Sequence, residues 1–123
     1  MPAQVISEDQ NTIAFLDIYP LAAGHTVVIP KFHATRITDL PEDLVASVFL
    51  TVKRVSDRIH ASLKPDGLTI GINDGEHAGQ GIPHLHVHII PRSKGDKGGN
   101  VHSIVKNPPQ ESLESIAAKL KLK

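Results

Sequence analysis

The stretch 83-PHLHVHIIPR-92 sets histidines at positions 84, 86 and 88 and fills the gaps with Leu85, Val87 and Ile89. Such alternation has the period of a β-strand, in which successive side chains point to opposite faces. Leu85, Val87 and Ile89 are therefore expected in the core, with His84, His86 and His88 in a row on the other face. The reading is a strand from His84 to Ile90, and the rest of the chain is organised around it.

Upstream, Val5 to Glu8 and Thr12 to Asp17 read as two short strands around the polar turn Asp9-Gln10-Asn11. His25 to Pro30, β-branched and bounded by Gly24 and Pro30, reads as a third. From Pro41 to Leu63 the residues Leu44, Val45, Val48, Phe49, Val52, Val55, Ile59 and Leu63 recur at three and four positions, one face of a long helix. Pro41 suits its first turn, Glu42 and Asp43 sit at the positive end of its dipole, and Lys64-Pro65-Asp66-Gly67 ends it. Leu68 to Asn73 is the fourth strand, and a glycine-bearing loop leads on to Pro83. Arg92 to Asn100 reads as a mobile glycine-rich basic loop. Beyond Pro108-Pro109, Leu113, Ile116, Ala117 and Leu120 mark a second helix within residues 109–122. The order β-β-β-α-β-β-α predicts an α+β fold, a five-stranded antiparallel sheet with helices packed on it.

The 123 residues suit one domain spanning 1–123. Thirteen basic and thirteen acidic residues cancel, so no whole-molecule field draws the chain to nucleic acid or an anionic membrane. Three phenylalanines, one tyrosine and no tryptophan offer few platforms for stacking bases of a single strand. The start, MPAQVISEDQ, does not have the pattern of a secretion signal, and no apolar run approaches the roughly 18 residues of a membrane span. A cytoplasmic protein is expected. Without cysteine, disulfides, thiolate metal sites and a thiol nucleophile are excluded. Eight histidines are the compositional anomaly.

Three readings of the histidine strand compete. The imidazoles could be solvated polar residues of a half-exposed strand, although histidine is not a favoured strand residue. They could bind zinc, copper or nickel. His84 and His88, however, lie ~13 Å apart along a strand, so three ligands on one ion would require a bend. Or one neutral imidazole could attack an electrophile while its neighbours bind the group attacked, a task suited to a side chain with a pKa near 6.5. A row of three suits attack on phosphorus.

The run His84-Leu85-His86-Val87-His88-Ile89-Ile90 resembles the motif of the histidine triad family of nucleotide hydrolases and transferases. AFLDIYPLAAGHTVVIPKFH (14–33) is similar to that family's nucleoside-binding segment, and GINDGEHAGQ (71–80) to its phosphate loop. The motif-bearing core runs from about residue 12 to 92. The resemblance implies a HIT-like fold and an enzyme acting at the α-phosphate of a purine nucleoside monophosphate conjugate, of AMP or GMP, through a nucleotidyl-histidine intermediate. His86 matches the nucleophile, with its other ring nitrogen donating to the His84 carbonyl. His88 matches the histidine that contacts phosphate and leaving group, His84 a supporting residue, and His25 a fourth histidine behind the triad.

By the same resemblance Asp17 accepts from the ribose hydroxyls, and Ile18 counts with it among the substrate-binding residues. Asn73 donates to the phosphate, and Gly79, Gln80 and Gly81 bring backbone N–H groups to the anion. No cofactor is required, and the partners expected are the nucleotide and a second copy of the chain in a two-fold dimer. Position 81 is often serine or threonine in the family's eukaryotic branches, whereas here it is Gly81, so one hydroxyl near the leaving group is missing. That makes a nucleotide-binding regulatory or scaffold protein the alternative. Members with a Cys-x-x-Cys zinc site also exist; with no cysteine here, His33 and His84 would be its remnant. The tail is closer in size to that of the nucleoside phosphoramidases than to that of the dinucleoside polyphosphate hydrolases. His60, His77 and His102, and Lys94 and Lys97, read as solvated residues.

Overall fold

The computed structural model describes residues 2–122; Met1 and Lys123, the ends of the expected domain, lie outside the described residues. Five strands, β1 (Val5–Glu8), β2 (Thr12–Leu16), β3 (Thr26–Pro30), β4 (Gly67–Gly71) and β5 (Val87–Arg92), form one sheet in the order β1-β2-β3-β5-β4. All neighbours are antiparallel. Helix α1 (Glu42–Leu63) lies between β3 and β4 in the chain, and α2 (Leu113–Leu120) closes it.

The sheet has two different faces because its strands alternate. Ala14, Val28, Val87 and Ile89 point to α1 and meet Val48, Val52, Val55 and Ile59 in the core. In register on the opposite face stand Phe15, Val27 and His88. Exposure alternates along the whole histidine stretch, with Leu85, Val87, Ile89 and Pro91 buried and His84, His86, His88 and Ile90 partly open. The expected two-sided division therefore holds.

Strand β5 nonetheless begins at Val87, three residues later than expected. The pairing Val28↔Val87 would next bring Pro30 opposite Leu85, but proline has no N–H to continue the ladder. The Leu85 N–H instead donates to Ala34 O at 2.7 Å. Strand β1 has its expected bounds, and the remaining strand ends differ by at most two residues. Asp17, just past β2, still donates its N–H to His25 O at 2.9 Å.

Two expectations for the tail need correction. Residues 93–100 are not a free loop. The Arg92 guanidinium donates to both Asp96 carboxylate oxygens at 2.7 and 3.0 Å, and also to Thr69 Oγ1 and Gly99 O. Asp96 accepts in addition from the N–H groups of Ser93 and Gly98. Helix α2 is shorter than 109–122, because Ser112 caps its first turn by accepting from Ser115 N–H. Nor is it packed on the sheet: Leu113 and Leu120 are exposed, and among the described residues only α1 covers the core face. Among the described residues, no helix is long and apolar enough to cross a membrane.

Candidate active site

On the face away from α1, a cavity of about 390 Å³ is walled by Phe15, Val27 and Ile29 from β2 and β3, by Asp17, Ile18 and Tyr19, and by Ile82, His84, His86 and His88. Its size is that of a small-molecule site. The apolar half was legible in the sequence, since Phe15, Val27 and Ile29 take the strand positions opposite to those of the core residues.

The hydrogen bonds determine where each ring proton sits. A carbonyl oxygen only accepts, so His86 Nδ1, 2.8 Å from His84 O, carries the proton, and the lone pair of His86 lies on Nε2. His84 Nε2 likewise donates to Pro30 O at 2.9 Å. The Leu21 N–H donates to His25 Nδ1 at 3.1 Å, which leaves the His25 proton on Nε2. That N–H points to His88 Nδ1, 2.9 Å away, and so the His88 proton is on Nε2. One imidazole thus offers a lone pair and its neighbour an N–H, the combination needed for attack on an electrophile whose negative charge must be held. Leu21 was not among the expected site residues; a backbone donor leaves no trace in residue type.

Burial makes the protonated forms of His25 and His88 costly and lowers both pKa values; the charged forms of His86 and His25 lower His88 further, and Asp17 opposes both shifts. A histidine with a depressed folded pKa binds fewer protons folded than unfolded. Its stabilisation is therefore present above the unfolded value of about 6.5 and is lost as pH falls below it. The melting temperature is expected to be level above pH 7 and to fall between pH 6.5 and 5. In His25→Gln that fall becomes shallower; an unchanged slope would contradict the assignment.

Asp17 does two things. Its Oδ1 accepts from Tyr19 N–H at 2.8 Å, the local turn its residue type predicts, while Oδ2 lies 3.5 Å from His25 Nε2. Ile18 is half-exposed at the cavity rim. Asn73 is exposed beyond β4, next to Gly79: a Cβ added there would sit 3.6 Å from its Nδ2. Gly79 has φ +100, a conformation suited to glycine.

Of the loop amides expected at the anion, two donate elsewhere in this structure. The N–H groups of Gly79 and Gln80 donate inside the loop, to Glu76 O and Gly75 O, which leaves Gly81 N–H without a partner among the described residues. The Gln80 side chain is also occupied, accepting from Gly75 N–H at 2.8 Å and donating to Thr35 O at 2.7 Å. It staples the loop to the segment after β3. Position 81 opens on empty space.

Among the described residues, Asp17, His25 and His88 bring three metal-ligating atoms within 4.8 Å of one another. The two imidazoles, however, satisfy each other at hydrogen-bond distance. His33 is exposed with its ring 5.7 Å from that of His84. His84 Nε2 is engaged by Pro30 O, and the chain has no cysteine to complete a four-ligand zinc centre. These residues do not fit one.

The antiparallel sheet thus carries linked imidazoles over an apolar cavity. The HIT domain family model matches residues 1–95, and the chain belongs to that family, a superfamily of nucleotide hydrolases and transferases. An uncharacterized HIT-like protein of Mycoplasma genitalium is 38% identical over 91% of this chain and 81% of its own. The asymmetrical bis(5′-nucleosyl)-tetraphosphatase of Schizosaccharomyces pombe is 38% identical over 80% of this chain and 54% of its own. Among solved structures, a HIT family member from Bacillus subtilis superposes with a TM-score of 0.82 at 32% identity, over 100% of this chain and 92% of its own. A zinc-bound histidine triad protein from Mycobacterium smegmatis gives 0.74 at 43%, over 79% and 70%.

Proposed function

We propose that the protein is a nucleotide hydrolase or nucleotidyl transferase acting at the α-phosphate of a purine nucleoside monophosphate conjugate, with His86 as nucleophile. The observation that carries this reading is the His86 ring: Nδ1 is pinned to the His84 carbonyl, so the lone pair on Nε2 belongs to the cavity side. Nε2 forms a bond to phosphorus as the bond to the leaving group breaks. The leaving atom departs with that electron pair, accepting a hydrogen bond from His88 Nε2–H and a proton from solvent. Water then cleaves the histidine–phosphorus bond, releases the 5′-monophosphate and returns the proton.

Phe15, Ile18, Val27 and Ile29 provide an apolar seat for the base, and Asp17 Oδ2 is an acceptor for the ribose. Asn73 and the Gly81 N–H are the further donors this reading assigns to the phosphate. These steps call only on protein groups and water, so no metal or cofactor is required. AMP release from an adenosine phosphoramidate is expected to be the same in EDTA as without it; a requirement for added zinc would overturn this mechanism. Gly81 favours one other reading, a nucleotide-binding regulatory protein, because no hydroxyl assists the leaving group there. Tight AMP binding with no turnover of phosphoramidates, acyl adenylates or dinucleoside polyphosphates would select it. The outer edge of β4, where Ile70 is exposed, suits a two-fold dimer, which light scattering tests.

A further inference from the structure

The loop between β4 and β5 returns the chain to the histidine stretch, and the segment after β3 fastens it at both ends. At its start Asp74 Oδ1 accepts from Ile37 N–H at 2.9 Å, and the Arg36 guanidinium lies 3.4 Å from Asp74 Oδ2. At its end Leu85 N–H donates to Ala34 O at 2.7 Å, and Thr35 Oγ1 to Pro83 O at 3.3 Å. Between these ties stands the Gln80 side chain. A carboxamide carries both a donor and an acceptor, and here each engages a different segment. Oε1 accepts from Gly75 N–H inside the loop, and Nε2 donates to Thr35 O outside it.

Gln80 lies between Gly79, at φ +100, and Gly81, where an added Cβ would meet nothing within 4 Å. The two glycines leave the backbone here unusually free, and neither has a side chain to anchor it. The Gly81 N–H belongs to the peptide group that begins at the Gln80 carbonyl, so holding Gln80 aims that N–H. Asn73 is next to the same point, its Nδ2 3.6 Å from where a Gly79 Cβ would stand. Loop and segment are not joined by apolar packing. A cavity of about 410 Å³ is lined by Thr35 and Arg36 from the one and by Glu76 and Gly81 from the other.

We propose that Gln80 is a positioning residue of the reaction: it keeps the Gly81 N–H and Asn73 aimed at the phosphate, and so governs the chemical step and not the affinity for nucleotide. The inference rests on the reading under Proposed function, in which those two groups are donors to the phosphate. Donors that meet charge developing in the transition state act through their placement, and an error of about 1 Å costs about 100-fold. In the same reading the nucleoside is held elsewhere, by Phe15, Val27, Ile29 and Asp17, so its binding is indifferent to the loop.

The test measures kcat and KM for adenosine 5′-phosphoramidate, and AMP affinity by calorimetry, in Gln80→Leu and Gln80→Met. Both substitutions keep the bulk of the side chain and remove its amide. Gln80 is partly open to solvent, so neither change opens the core, and thermal melts verify folding. In both variants kcat is expected to fall by about 10- to 100-fold, with KM and AMP affinity within about threefold of native. Thr35→Val removes a hydroxyl from the same cavity but keeps the carbonyl that Gln80 uses, and its kcat should stay within about twofold of native. Native kcat in both folded Gln80 variants, a loss confined to KM, or an equal loss in Thr35→Val overturns the positioning role alone. Absence of turnover by the native chain overturns the nucleotidyl-transfer reading, and this role with it.

Discussion

In His86→Ala, release of AMP from an adenosine phosphoramidate is expected to fall by about 10⁴-fold or more, because the nucleophile proposed for the reaction is gone. AMP affinity should change only a few-fold. The cavity keeps Phe15, Val27, Ile29 and Asp17, and His86 meets the nucleotide only through its reacting edge. Calorimetric titration with AMP alongside the turnover assay separates the two effects. During turnover, the intact mass of the native chain should show a nucleotidyl adduct that is absent from the variant. The His84 carbonyl would direct that chemistry: by accepting a hydrogen bond from Nδ1–H it leaves Nε2 as the one basic nitrogen of the neutral ring. Activity retained in His86→Ala would remove the nucleophile assignment altogether.

What the sequence made legible was whatever follows from side-chain period. Alternation placed Leu85, Val87 and Ile89 in the core and the histidines opposite, and three-four spacing placed a helix from Pro41 to Leu63, within one residue of α1. What it hid depended on partners distant in the chain. The late start of β5 follows from Pro30, more than fifty residues upstream, meeting Leu85 in register. Gln80 looks like one more polar residue in a phosphate loop until Thr35 is brought to its amide. The glycines of 93–100 read as freedom, yet Arg92 and Asp96 convert that freedom into a clasp. Asp17 joins both kinds of information. Its turn with Tyr19 is local and predictable, whereas its approach to His25 exists only because β2 and β3 pair beside it.

Leu85 allows the two faces of the histidine stretch to be weighed separately. It is fully buried between two partly open histidines, and its backbone ties the stretch to Ala34. Truncation in Leu85→Ala leaves a cavity under the sheet and should cost about 2–5 kcal/mol. In a chain of this size that lowers the melting temperature by about 10 °C or more. His86→Ala, one residue along, gives up a single hydrogen bond on a half-buried ring, about 1 kcal/mol. Activity should follow the reverse order. Assayed well below its melting point, Leu85→Ala should release AMP within about tenfold of the native rate, since the rings of His86 and His88 keep their partners at His84 O and His25 Nε2. Equal melting temperatures for the two variants would show that Leu85 and His86 do not occupy opposite environments. A stable Leu85→Ala with no turnover would mean that the core residue acts on the chemistry, and not only on the fold that carries it.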